Sequence, residues 1–246
     1  KNNIDLHHHG DSFNNKVYFS GGNFHNLPNK TSELFVNSPF RYCEGKNLRN
    51  ETVEIFDSTN GDHIKTLELL PLIANLKEVH PYLSSCDDPL HLNDVHVIKE
   101  KNYANYFPNG KVGDFLISML HINTIALVDK DTFKIKWHSF DKFRSVHSPI
   151  ISNRGTIILF DNNGSLTKKN GKSSLVEIDI KENKVVGTYE ATGNNYFSSS
   201  VQGKLQLVDD KIYITETTNL RMLEISCKSK YISNKCKQRT ILEIID

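Results

Sequence analysis

Histidine is the residue type most able to do chemistry in this chain, with 11 among 246 residues. Three of its placements repeat. The triplet His7-His8-His9 stands just ahead of a strand-like run. His91 stands in Asp88-Pro89-Leu90-His91-Leu92-Asn93-Asp94, ahead of a second run, and His147 stands in Val146-His147-Ser148-Pro149, ahead of a third. An imidazole near its ordinary pKa can act as a nucleophile, a proton carrier or a metal ligand. Several imidazoles close together suppress each other's protonation, and attack or metal binding needs the neutral form. A lone histidine at a strand start is otherwise a turn or core residue. His9, His25, His63, His80, His96 and His138 read that way, with His121 intermediate.

The elements that must position these residues are strands. One pattern occurs four times: an alternating apolar run that closes on Asp, a short turn, then another alternating run. It reads Val53–Asp57, Ile125–Asp129, Leu175–Asp179 and, less cleanly, Met222–Ser226. Self-similarity at about 45–55 residues, with four strands per unit, is the signature of a β-propeller blade. The fold class is therefore all-β, a propeller of four-stranded antiparallel blades over residues 1–246. Blades are expected at about 5–70, 93–140, 147–191 and 199–246, with 71–92 connecting. A long polar insert is expected from Gly21 to Asn50, and one short helix within 71–85. Asn162-Asn163-Gly164, Asn153-Arg154-Gly155 and Asp209-Asp210 carry tight-turn chemistry. Repeat symmetry would gather His8, His91 and His147 around one axial mouth, with His8 and His147 at nearly equivalent positions.

Composition bounds the function classes. The net charge of +1 supplies no field that would recruit nucleic acid or an anionic membrane. No apolar run approaches the length of a membrane span. The chain opens on Lys1 and enters strand-like sequence at once, which reads as a mature or truncated form. Cys227 and Cys236 flank a polar loop between two strands, so a hairpin-spanning disulfide is expected, which leaves Cys43 with Cys86. An even cysteine count fits an oxidising compartment, periplasmic or secreted. Three sequons begin at Asn29, Asn50 and Asn163; chance alone produces them in a chain this rich in Asn.

At these residues the chain resembles the arylsulfotransferase family, the PAPS-independent propeller enzymes. Leu6-His7-His8 before Lys16-Val17-Tyr18-Phe19 resembles the family's Leu-His-His motif. Asp88 to Val95 is similar to its His-x-Asn-(Ser/Asp)-Val motif. His147 with Gly155 to Asn162 is similar to its His…Gly-Asn-Ile-Leu-Leu-Phe-Asp-Asn motif, and Phe197 to Gly203 resembles the segment that opens its last blade. The resemblance implies a six-bladed ring and ping-pong transfer of a sulfuryl group from an aryl sulfate to a phenol, with no cofactor and no resident metal. It implies His147 as the sulfated histidine. His91 and His8 would bind sulfate oxygens or handle the phenol proton. His7, Asn93, His121 and Arg144 would be substrate-binding. One departure stands out: where the family carries an arginine after its second strand, this chain has Leu120. Loss of one preorganised donor to a developing anion typically costs about 100–1000-fold in rate. His121 or Arg144 could compensate.

Two further function classes fit the same residues. One is a non-catalytic secreted propeller that binds a ligand or partner at its mouth, since fold does not fix function. The other is a metal-dependent hydrolase-like propeller, with the histidines joined by Asp94 or Asp11. Phe13, Tyr103, Tyr106, Phe107, Tyr196 and Phe197 are candidates for stacking on a phenol ring, and Trp137 reads as packing.

Overall fold

Each closing Asp of the repeated run has a local duty. Asp57 Oδ1 accepts the amide of Thr59 at 2.7 Å. Asp129 Oδ1 accepts those of Asp131 at 2.9 Å and Thr132 at 2.8 Å, and Asp179 Oδ1 that of Glu182 at 2.8 Å. A short carboxylate that caps the next turn reverses the chain without help from the core. The repeat is therefore written partly in turn chemistry. The fourth copy ends in Ser226, whose hydroxyl reaches back to Glu224 at 3.4 Å instead.

These turns build four antiparallel sheets of four strands, each in chain order, in a computed structural model of the protein. It describes residues 5–26, 43, 47–83, 85–162, 172–191, 196–199 and 202–243; the side chains of 5, 7–9, 23–26 and 47 lie outside that description. The first sheet holds β1 (Asp5–Phe13), β2 (Lys16–Asn26), β3 (Asn47–Asp57) and β4 (His63–Glu68). The second holds β5 (Leu92–Val97), β6 (Phe115–Met119), β7 (Thr124–Val128) and β8 (Ile135–Phe140). The third holds β9 (Val146–Ile151), β10 (Thr156–Asp161), β11 (Ser174–Asp179) and β12 (Lys184–Tyr189). The fourth holds β13 (Lys204–Val208), β14 (Lys211–Glu216), β15 (Arg221–Ser226) and β16 (Lys237–Glu243). These are β-propeller blades, as the repeat predicts. The chain divides into two compact units, Lys1–Lys99 with Lys111–Phe140, and Glu100–Gly110 with Asp141–Asp246.

In the first unit the two sheets share a core that includes Tyr18, Val53, Leu92, Phe115 and Ile117. The Tyr18 and Phe115 rings lie 5.9 Å apart. At the sheet edges, Asp11 on β1 accepts the Val97 amide of β5 at 2.9 Å and pairs with Lys99 at 2.6 Å. In the second unit the core includes Phe160, Phe197, Leu205 and Ile214. There Ser148 on β9 accepts the Leu205 amide of β13 at 2.9 Å. Strands β6, β7 and β10 are buried along their whole length, so they read as continuous apolar runs because both faces are covered.

Several boundaries differ from expectation. β2 pairs with β3 in an unbroken register out to Asn26 and Asn47, which shortens the expected insert at both ends. Polar side chains do not prevent a ladder whose bonds are all backbone. The expected helix within 71–85 is two pieces, α1 (Leu70–Ile73) and a 3₁₀ segment (Lys77–Tyr82). Leu76 between them is non-helical at φ −92°, ψ 86°, and Pro81 brings no amide donor. A second short helix, α2 (Lys101–Ala104), was not expected. The histidine triplet lies inside β1 and His147 inside β9, not ahead of them; His91 does stand just before β5. Both disulfides form as expected, Cys43–Cys86 and Cys227–Cys236. Among the described residues no helix is long and apolar enough to cross a membrane. The Asn163-Gly164 turn and the sequons at Asn29 and Asn163 lie outside the described residues.

Candidate functional site

The first strand of three sheets loses register at, or within two residues of, His8, His91 or His147. β1 shifts against β2 between Leu6 and Gly10, across His7-His8-His9. β5 shifts against β6 between Leu92 and Asp94, so Asn93 is the bulged residue, two residues after His91. In β9, His147 opposes Phe160 while Ile150 opposes Ile158, so one extra residue lies between His147 and Ile150. β13 pairs with β14 without a shift. A bulge bends its strand and re-aims the side chains beside it, and bulges concentrate next to active sites. His91 (φ 53°) and Ser148 (φ 49°) also take the left-handed backbone conformation, which non-glycine residues seldom adopt without a compensating constraint.

In the first unit the sequence-predicted residues His91 and His121 meet. Their ring centroids are 5.0 Å apart. Two backbone bonds clamp the β6–β7 turn to the segment before β5: Leu120 donates to the His91 carbonyl at 3.0 Å, and His121 to that of Leu90 at 3.1 Å. Both imidazoles address Asp88. His91 Nδ1 lies 2.5 Å from Asp88 Oδ2, and His121 Nδ1 lies 2.7 Å from the Asp88 carbonyl, where it must be the donor. Leu120 itself is buried, so no polar group enters the cluster at that position.

Three groups of this cluster escaped the sequence reading. Asp88 lies in the motif that carries His91, which assigns it no role. Glu51 and Arg49 alternate along β3 and share one face of it. Glu51 is fully buried; its Oε1 accepts the Leu92 amide at 3.0 Å, and Oε2 has no hydrogen-bond partner. Opposite Glu51 in the ladder is Gly22. A Cβ on Gly22 would come within 2.8 Å of Arg49 Nε, so the glycine makes room for the guanidinium.

Charge follows this geometry. Burial pushes the Glu51 carboxyl up to about 7, and the Asp88 charge adds to that against the Leu92 hydrogen bond, His91 and Arg49. Burial alone would raise Asp88 as well, but the His91 hydrogen bond and the charges of His91, His121 and Arg49 hold it below its ordinary value. His91 moves up: burial disfavours its charged form, and the hydrogen bond and charge of Asp88, helped by Glu51, outweigh that.

In the second unit His147 is buried, 4% exposed. Its Nδ1 lies 2.8 Å from Asn162 Oδ1. The Asn162 amide nitrogen donates to the carbonyls of Ser199 and Gln202, which fixes which end of that amide faces the ring. Nδ1 must then carry the proton, and the lone pair is on Nε2. Arg144 is turned to Asp141, with which it pairs, and its backbone amide donates to Asp161 at 3.1 Å. Asn93 is buried at the β5 bulge. The side chains of His7 and His8 lie outside the described residues.

Fold and sites together define a propeller protein with histidines placed at bulges of its blade-opening strands. The sequence model of the arylsulfotransferase (ASST) family matches residues 50–235. The chain belongs to that family. The match takes in His91, Asn93, His121, Arg144 and His147 and leaves His7 and His8 outside it. No curated protein sequence matches the chain. Among solved structures it is similar to an acylaminoacyl peptidase from Pyrococcus horikoshii, at 10% identity and a TM-score of 0.50 over 98% of this chain and 32% of that one. It is also similar to the Dos1 propeller, at 8% identity and a TM-score of 0.45 over 93% and 43%. A third is the WD40 propeller domain of Doa1, at 14% identity and a TM-score of 0.44 over 79% and 49%. The chain thus spans less than half of each of these three structures, and such likeness speaks to fold alone.

Proposed function

We propose that this chain carries the sulfuryl-transfer chemistry of its family, with His147 as the group that is transiently sulfated. The observation that carries the reading is the His147–Asn162 pair. Asn162 holds Nδ1–H, so the neutral ring keeps its lone pair at Nε2 without waiting for deprotonation; Nε2 is buried from solvent, so an aryl sulfate reaches it only by displacing its neighbours. In the first half-reaction Nε2 forms a bond to the sulfur of an aryl sulfate, the sulfur–oxygen ester bond breaks, and the phenolate leaves and takes up a proton. In the second, a phenol oxygen attacks the same sulfur while its proton passes to a neighbouring imidazole or to solvent, the N–S bond breaks, and Nε2 recovers its lone pair. Splitting one hard transfer into two steps is what a covalent nucleophile contributes. His91 and His8 are assigned to sulfate oxygens or the phenol proton, and His7, Asn93, His121 and Arg144 to substrate binding. Two disulfides suit a periplasmic or secreted location.

The test is direct. Incubation with 4-nitrophenyl sulfate should release nitrophenol and leave an increment of about 80 Da, one sulfuryl group, on the peptide that contains His147. His147→Ala should abolish both. Neither adduct nor release from the parent chain would leave a non-catalytic propeller that binds a ligand or partner.

A further inference from the structure

We infer that Asp88, His91 and His121, backed by the buried carboxylate of Glu51, form a binding site for a first-row divalent cation, with zinc the best match to the ligand set. One ligand atom from each of the three lies within 4.8 Å of the other two. Asp88 Oδ2 is 2.5 Å from His91 Nδ1 and 3.8 Å from His121 Nδ1. A tetrahedral ion with bonds of about 2.0–2.1 Å holds its ligand atoms about 3.3 Å apart. The longer separation must close by about half an ångström and the shorter must open by somewhat less than one, both small side-chain rotations for groups about 2 Å from the ion. His121 is the most exposed of the three and sits on a turn, so it can follow. The ion replaces the proton that His91 Nδ1 shares with Asp88 and the one that His121 Nδ1 gives to the Asp88 carbonyl, so binding turns His121 away from that carbonyl.

A second observation points the same way. Asp88 Oδ1 and Glu51 Oε2 are buried oxygens with no hydrogen-bond partner. Buried acceptors left so are uncommon, and a cation bound at the Asp88 carboxylate answers the first and lies on the side of the cluster that Glu51 backs. Arg49 is one guanidinium against two carboxylates, and it acts on both of them and on His91. Two imidazole nitrogens with carboxylate oxygen favour zinc and its neighbours over the oxygen-seeking calcium and magnesium. The aspartates expected for a metal centre are engaged elsewhere, Asp11 with Lys99 and the Val97 amide and Asp94 with Ser118 at 3.5 Å. This inference uses His91 and His121, which the proposed function assigns to the substrate, but not His147, so zinc binding can be tested without the nucleophile.

The experiment is calorimetric titration of the full, oxidised, chelator-dialysed chain with zinc chloride near neutral pH. One equivalent should bind with a dissociation constant in the micromolar range or below. His121→Ala and His91→Asn should each weaken binding about 10–100-fold; asparagine tolerates the positive φ of position 91. Zinc should raise the melting temperature of the parent and leave the doubly substituted chain unmoved, which separates lost binding from lost folding. His147→Ala should bind zinc like the parent, so this site and the transfer chemistry can fail independently. A chain with His7, His8 and His9 all changed to Gln should also bind like the parent. Loss of binding in that chain, undiminished binding in the double variant, or no stoichiometric uptake by the parent would overturn the inference.

Discussion

At the scale of single residues, what matters at His147 is which nitrogen holds the proton. Asn162 decides it, and the carbonyls of Ser199 and Gln202 decide Asn162. Nitrogen-resolved NMR of the imidazole should show a single tautomer protonated at Nδ1. Asn162→Ala removes the nearer acceptor and leaves the Ser145 carbonyl, 3.3 Å from Nδ1, so the hold on the tautomer should weaken, the ring should populate both forms, and sulfation of His147 should slow even where folding is intact. A ring that keeps one tautomer after that change would show that Asn162 does not set it. Part of this was legible in the sequence. His8 and His147 stand out because they fall at nearly equivalent places in a repeat, His91 lies a few residues earlier in its own blade, and Asp88 lies three residues from His91. Glu51 and Arg49 were not legible. They reach the cluster through strand pairing, and a charged residue in an alternating run ordinarily faces solvent.

At the scale of elements, the second sheet is fastened by a buried ion group. Lys136 on β8 lies 2.7 Å from Asp114, just before β6, and 2.7 Å from Asp129, just after β7. Asp114 also accepts the amides of Lys111 at 2.7 Å and Lys130 at 3.1 Å. Lys136→Met should cost about 3–5 kcal/mol, because it strands two buried carboxylates. The pH dependence has a definite sign. The Lys136 hydrogen bond holds Asp129 below its ordinary value of 3.8. Its stabilisation is therefore fully present above that value and is lost as pH falls through the lower folded one. In urea melts the variant should be weakest relative to the parent at neutral pH and draw level in acid; a gap that does not narrow would refute this role. The strands themselves were read correctly because alternation and Asp-led turns are local signals. The far half of β2 was not, since it is held by pairing with distant strands, Gly21 and Gly22 with β1 and the whole run to Asn26 with β3, and not by alternation of its own.

At the scale of the whole molecule, each compact unit holds one disulfide, and the two differ in what they tie down. Cys43–Cys86 spans a sequence separation of 43 and Cys227–Cys236 one of 9. Loop-closure entropy gives the first about 4 kcal/mol and the second about 2.6 kcal/mol. Position adds a second difference. Cys86 is two residues from Asp88, and its carbonyl accepts the Arg49 amide at 2.9 Å. The longer bridge therefore pins the segment that carries Asp88 and His91 to the strand that carries Arg49 and Glu51. Cys43→Ser with Cys86→Ser should lower stability more than Cys227→Ser with Cys236→Ser, and it should weaken zinc binding as well. The shorter bridge closes a hairpin in the other unit, so its removal should leave zinc affinity within about twofold of the parent, a difference of about 0.4 kcal/mol. Equal zinc affinity in the two serine pairs would mean that the cluster is held by its own strands, and that the Cys43–Cys86 bridge serves stability alone.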